Sequence, residues 1–274
     1  MQRMSRLDRL RERWPVSPRV HAYAAWAALV LFTLIIISGA AVRLTGSGLG
    51  CPEWPRCNGT SVTPSNGHAY IEFSNRLITT PVAIAAVLCL VFALLRRPYR
   101  RDFTVLGALL TAGVVVQAVL GGITVLTGLN PVTVMGHFLL SIATLVVAVT
   151  LVWRVVRERA EKPETPTHDA LLVRLTRALT VVGGVVVVVG TAVTASGPYA
   201  GGEGTDDTVK RLGLFGDDTF KTVIMVHARI AAVFGVCAVA LWIFARIRGA
   251  RDLNRPPLRR RSAGSGSADC GPLR

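Results

Sequence analysis

Few residues of this chain are equipped for chemistry, and most of them fall at one level of long apolar segments. Glu72, Asn75 and Arg76 stand together in Ile71-Glu72-Phe-Ser-Asn75-Arg76. His137 follows Gly136, and Val226 leads into His227-Ala-Arg229. Cys51 and Cys57 bound Cys51-Pro-Glu-Trp-Pro-Arg-Cys57, and Gln117 opens Gln117-Ala-Val-Leu-Gly121-Gly122. Imidazoles on facing helices of a bundle hold a haem iron, which makes His137 and His227 candidate iron ligands. A buried carboxyl such as Glu72 takes and releases protons. The guanidinium groups of Arg76 and Arg229 match haem propionates. Each residue also has a plainer reading. The histidines would bridge helices by hydrogen bonds, Glu72 would be a carboxylate favoured by a helix N-terminus, and the arginines would reach up to the membrane surface. Gln117 reads as helix packing beside small residues. His68, in the loop before the second apolar segment, reads as solvated; His21 and His168 receive no role.

These side chains need membrane-crossing helices to position them. The chain has 274 residues, 51% hydrophobic and 17% charged, with mean hydropathy +0.48. Six segments near 23–42, 70–95, 103–127, 133–153, 178–196 and 221–245 are long and apolar enough to cross a hydrocarbon layer roughly 30 Å thick. In lipid the backbone must satisfy its own polar groups, and strict alternation is absent, so the segments are helices rather than barrel strands. The expected fold is an all-α polytopic membrane protein with six transmembrane helices. The first segment is too long for a signal-peptide core, despite Ser38-Gly39-Ala40.

Charge orients the chain. Lys and Arg number 31 against 16 Asp and Glu, a net +15. Residues 1–22 hold six of the basic residues, 96–102 four, 154–177 six, and the stretch from Arg246 eight. That asymmetry marks one side as cytoplasmic, with both termini inside a cell membrane. The apolar content and its long runs exclude an ordinary soluble enzyme and a disordered chain, and nucleic acid is not an expected partner despite the basic excess. On the opposite side lie Cys51 and Cys57, and also Glu203, Asp206, Asp207, Asp217 and Asp218. Thiols there tend to oxidise, so a Cys51–Cys57 disulfide is expected, with two free thiols or a redox-active pair as the other readings. Cys89 and Cys237 read as packing residues within spans; Cys270 has no role. The stretch after Arg246 has no helical period and reads as disordered.

Two features organise the spans. Gly39-Ala-Ala-Val42-Arg-Leu-Thr45-Gly-Ser47-Gly48 resembles Gly190-Thr-Ala-Val193-Thr-Ala-Ser196-Gly197, so one bundle is repeated. The expected division is a basic N-terminus (1–22), a four-helix bundle (23–153), a cytoplasmic linker (154–177), two helices of a second bundle (178–248) and a basic tail (249–274). The second feature is depth: Glu72, Asn75, His137 and His227 all lie within roughly 10 Å of the outer interface. Ionisable residues at membrane depth are functional by default, and a shared depth points to one kind of site. A transporter would place them at the midplane instead.

At these residues the chain resembles the haem A synthase family. The resemblance rests on Val42-Arg-Leu-Thr-Gly-Ser-Gly48, Cys51 through Cys57-Asn58-Gly59, Glu72 through Arg76, Gln117 through Thr127 with Pro131, Gly136-His137 and Val226-His227. It implies eight helices in two four-helix bundles, of which the six spans read here make one complete bundle and half of the second, without helices 7 and 8. It implies oxidation of a haem O ring methyl to a formyl group, giving haem A for cytochrome oxidase. The substrate haem O would occupy the first bundle and a haem b cofactor the second. Glu72 would be the catalytic carboxylate, His137 and His227 iron ligands, and Asn75, Arg76 and Arg229 haem-binding residues. Cys51 and Cys57 would be the loop pair. Asn75 stands where the family carries a histidine. The partners implied are haem O synthase, oxidase assembly factors and membrane lipid, and a homo-oligomer is compatible. The alternative is a haem-binding or oxidase-assembly membrane protein without catalysis.

Overall fold

The computed structural model describes residues 6–57, 64, 66–159, 169–199, 201–202 and 209–253. Seven helices and no strand occur among them: α1 (Arg6–Arg13), α2 (Pro18–Leu44), α3 (Gly67–Leu95), α4 (Arg101–Leu126), α5 (Pro131–Arg159), α6 (Ala170–Ser196) and α7 (Thr219–Leu253). Helices α2 to α7 are long and apolar enough to cross a membrane, as the hydropathy pattern requires. Ser17 and Pro18 start α2, the serine hydroxyl accepting from the Val20 N–H at 3.3 Å. Asn66 caps α3 by accepting from the Ala69 N–H at 2.8 Å.

Three expectations need correction. The Asn66 cap starts α3 at Gly67, so His68 lies in the first helical turn rather than in a loop, and its Nδ1 is 2.8 Å from the buried Ser47 hydroxyl. α7 continues through Leu253, beyond Arg246, because no proline intervenes before Pro256. Cys237 is exposed, because α7 packs on α6 alone among the described helices; Cys89 is buried as expected. His168, Glu203, Asp206, Asp207 and Cys270 lie outside the described residues.

Helices α2, α3, α4 and α5 pack in a closed circuit, α6 docks on α5, and α7 on α6. The buried apolar core of the circuit occupies only one half of its length. It is built from Ala22, Ala25, Ala28 and Phe32 of α2, Val82 to Ala93 of α3, Phe103 to Val114 of α4 and Ala148 to Val155 of α5. Alanines let the backbones approach, and Gly107 of α4 lets it meet α3, where a Cβ would stand 2.7 Å from the Leu90 Cα. Pro81 has no N–H to give the α3 ladder, and it marks where that packed half begins. The opposite half, here called the disulfide end, carries His137, Asn75 and Glu72.

The packed half closes on a charged seal, the basic end. Arg96 is 0% exposed and donates from Nη2 to both oxygens of Glu158 on α5. Its guanidinium lies 4.5 Å from the centre of the Phe103 ring, against which His21 sits edge-on at 5.2 Å. Asp102 on α4 accepts from Arg154 on α5 at 2.8 Å. The Val16 carbonyl accepts from the Arg97 N–H at 3.1 Å, and the Leu95 carbonyl from the Val16 N–H at 3.2 Å, fixing the segment that carries Arg96. At the start of α6, Asp169 accepts from the Leu171 and Leu172 N–H groups and from Arg248 of α7. The Leu172 N–H, then Arg248, hold its carboxyl below the usual range.

Removing one partner of a buried ion pair leaves an uncompensated charge. Arg96→Met is therefore expected to destabilise the folded chain by about 3 kcal/mol. Arg97→Ala, whose partner Glu12 is half exposed at 3.5 Å, should cost less than about 1 kcal/mol. Unfolding of the detergent-solubilised chain followed by circular dichroism checks both. The lowered Asp169 carboxyl stabilises the fold at neutral pH, and that contribution is lost as pH falls below the ordinary carboxylate value. Asp169→Asn should remove this acid dependence, read as the pH profile of hydrogen exchange at the start of α6.

Candidate functional site

At the disulfide end the loop after α2 is tied down by a carboxylate and a guanidinium one helical turn apart on α3. Cys51 and Cys57 are bonded to each other, as expected, and both are buried. Glu72 is 4% exposed; its Oε2 accepts from the Cys51 N–H at 2.8 Å. Its Oε1 accepts from Arg76 Nε at 3.0 Å and from Nη2. Arg76 then donates from Nη2 to the Cys51 carbonyl at 2.7 Å, and from Nη1 to the carbonyls of Glu53 at 2.8 Å and Arg56 at 3.2 Å. A guanidinium has five N–H donors, and these five contacts use them. Arg76 thus reaches to the loop carbonyls and has no donor left for a propionate. Gly50 closes the same junction, since a Cβ there would stand 2.5 Å from the His68 backbone.

Further into the helices, the polar side chains face glycine. His137 lies six residues into α5, its imidazole against Gly121 of α4, where a Cβ would be 3.2 Å from Cε1. His227 lies eight residues into α7 against Gly190 of α6, with a corresponding distance of 2.9 Å. Asn75 lies eight residues into α3; its Oδ1 accepts from the Ser38 hydroxyl of α2 at 2.7 Å and would be 3.8 Å from a Cβ on Gly39. These positions are about 9–12 Å from their helix ends at 1.5 Å per residue. The sequence repeat pairs Gly39 with Gly190, so Asn75 and His227 occupy matching places.

The α6–α7 contact is a ladder of three such steps. Gly183 and Gly190 of α6 and its C-cap Gly197 are seven residues apart, and each faces a ring of α7: Phe234, His227 and Phe220, again seven apart. Two antiparallel helices keep a seven-residue seam in register, so every rung brings a ring against bare backbone. That spacing was visible in the sequence and marks a contact that a search for polar residues overlooks. Gln117 also exceeds its packing role. Its Nε2 donates to the His137 carbonyl at 3.0 Å and to the Ser141 hydroxyl, tying α4 to α5 at the imidazole.

Both imidazoles keep a buried Nδ1 with no hydrogen-bond partner among the described residues. Among those residues no three His, Cys, Asp or Glu side chains gather around one point. A bare metal ion needs three or four protein donors, whereas a porphyrin already supplies four nitrogens and needs only one or two axial ones. Solitary, glycine-seated imidazoles fit the second case. Arg229 is exposed two residues beyond His227, with no ion-pair partner among the described residues. Between α5, α6 and α7 lies an apolar cavity of about 620 Å³; Gly136 and Val226, the neighbours of the two histidines, both line it. The repeat ends also touch: the Gly48 N–H donates to the Gly201 carbonyl at 2.7 Å, and Arg43 to those of Tyr199 and Thr194 at 3.0 and 2.9 Å.

If Arg76 clamps the loop, Arg76→Ala leaves the Cys51, Glu53 and Arg56 carbonyls without their donor. The expected outcome is faster amide exchange and faster proteolysis confined to 48–57, with the helices unchanged; Arg76→Lys, with three donors, restores part of the protection.

A family model described as cytochrome oxidase assembly protein matches residues 22–265. The chain is 35% identical over 147 residues to a heme A synthase of Lysinibacillus sphaericus, covering 50% of this chain and 47% of that protein. It is 31% identical over 144 residues to that of Listeria welshimeri (48% and 46%) and 32% over 143 residues to that of Bacillus pumilus (49% and 45%). The chain spans about half the length of the curated relatives it matches. With six helices able to cross a membrane and a family match over most of its length, it is a multi-pass membrane protein belonging to the cytochrome oxidase assembly protein family, with relatives named heme A synthase.

Proposed function

We propose that this chain binds haem at His137 and His227 and serves the conversion of haem O to haem A, in which a ring methyl is oxidised to a formyl group. The observation that carries this reading is the seat of each imidazole on a glycine of the neighbouring helix, at the end that the packed core does not reach. His137 would hold the substrate haem O through its imidazole, and His227 a haem b. Haem b, when bound, supplies one-electron redox chemistry. Asn75 replaces a ligand by an amide: with its Oδ1 taken by Ser38, its NH₂ group is the donor toward the substrate. Arg229, exposed and without an ion-pair partner among the described residues, suits a propionate, a role for which Arg76 has no donor left. Taking a methyl to a formyl group with oxygen from water releases four electrons to an external acceptor and four protons, and Glu72 is the buried carboxylate at that level to accept a proton.

The basic end faces the cytoplasm in this reading, with both termini inside the plasma membrane and the disulfide outside, where thiols oxidise. Haem O synthase and cytochrome oxidase assembly factors are the proposed partners. A second reading, haem binding for oxidase assembly without catalysis, is favoured by the fact that both oxygens of Glu72 already serve the loop.

The test uses membranes of a host that accumulates haem O and lacks its own haem A synthase. Extracted haems are separated chromatographically after expression of the chain. A haem A peak absent from the empty-vector control is expected, and Glu72→Gln should lower it by about two orders of magnitude, the usual contribution of a general base. Haem O alone, with the protein present and carrying haem, would transfer the chain to the second reading. Separately, His137→Ala and His227→Ala should each remove one haem from the purified protein. Gly121→Leu and Gly190→Leu should do the same by displacing an intact imidazole.

A further inference from the structure

We infer that Trp54 is a positioning residue for the porphyrin held at His137, setting how the ring is turned about its iron–imidazole axis. The inference rests on the haem reading of His137 and adds a residue to it. Trp54 lies between the two bonded cysteines, at the centre of the clamped loop. Its indole is seated on Gly122 of α4: a Cβ there would stand 2.7 Å from Cδ2, 2.9 Å from Cε2 and 3.1 Å from Cε3, so the fused ring lies on bare helix backbone. The preceding residue, Gly121, seats the His137 imidazole at 3.2 Å. One Gly-Gly step of α4 therefore carries both rings, on directions about 100° apart around the helix.

The indole is also held from behind. Arg76 Nη1 binds the carbonyls of Glu53 and Arg56, which flank the Trp54-Pro55 pair, while Nη2 and Glu72 bind Cys51 at the loop's origin. A large aromatic side chain that is 42% exposed and yet fixed at its backbone on both sides and beneath its ring presents a rigid apolar face. An axial imidazole fixes the iron but leaves a porphyrin free to rotate about the iron–nitrogen bond. Acting on one ring methyl among several requires a second contact, to the ring edge or face. Flat aromatic groups pack face-on or edge-on against a π-system, and an immobile indole beside the imidazole provides that contact. The clamp of Glu72 and Arg76 thereby bears on substrate orientation as well as on loop structure.

The experiment uses the full chain in detergent with His227→Ala, so that one haem site remains, titrated with ferric protohaem. Soret absorbance reports ligation, and induced circular dichroism in the Soret band reports a fixed ring orientation. Trp54→Ala and Gly122→Ala are expected to lose most of the dichroism while keeping the Soret absorbance. Trp54→Phe should retain much of it. Thiol titration under denaturation shows whether the disulfide persists in each variant. Unchanged dichroism in Trp54→Ala with the disulfide intact would overturn the inference and leave the haem reading standing. Equal loss of haem in all three variants, Trp54→Phe included, would also overturn it, because Trp54 would then only support the fold. If the His227→Ala chain takes up no haem at all, the His137 reading fails, and this inference falls with it.

Discussion

A ring set at membrane depth needs a stretch of neighbouring helix with no side chain on it, and that requirement organises this molecule. Lipid tails exert no hydrophobic pressure on helix contacts, so close backbone approach and polar ties must hold the helices. Here the approach is made over glycine. Gly121 receives His137, Gly122 receives Trp54, and Gly183, Gly190 and Gly197 receive Phe234, His227 and Phe220. The bare surface that lets α6 and α7 pack also seats the His227 imidazole, and the α4–α5 contact seats His137 in the same way, so helix pairing and site geometry are one construction.

The four-helix circuit divides along its length. Its basic half is filled by alanine, aliphatic side chains and Phe103 and sealed by Arg96, Glu158, Asp102 and Arg154. Its disulfide half contributes almost nothing to that apolar core and instead holds the polar side chains. There the rigidity comes from hydrogen bonds: Ser38 to Asn75, Gln117 to the His137 carbonyl, and Arg76 to three loop carbonyls. The circuit thus has one end filled by apolar side chains and one end spanned by specific polar ties.

Membrane class, helix number and candidate histidines were legible in the residues, because hydropathy and ionisable groups inside apolar runs are local signals. The loop pair was legible too, since two cysteines six residues apart in one short loop are close enough to bond to each other. Arg76 was not. Its type and position suited a propionate equally well, and only the fold brings the Glu53 and Arg56 carbonyls to its donors. Glu72 likewise read as a proton acceptor or a helix-end carboxylate; the link to the Cys51 N–H depends on a loop returning over α3. His68 and the end of α7 were misplaced because helix ends depend on caps and on the absence of breakers, which hydropathy windows average away.

The amino-acid order by itself determined which segments are apolar enough to enter lipid, how the basic charge is distributed between them, and which few groups within apolar segments have chemistry to offer. These follow from transfer energies and side-chain type, and they need no knowledge of neighbours. Tertiary structure alone decided which glycine faces which ring, which donors of Arg76 are spent, and that Trp54 and His137 share one step of α4. Those facts depend on the rotation and register of helices distant in sequence, and no local signal encodes them.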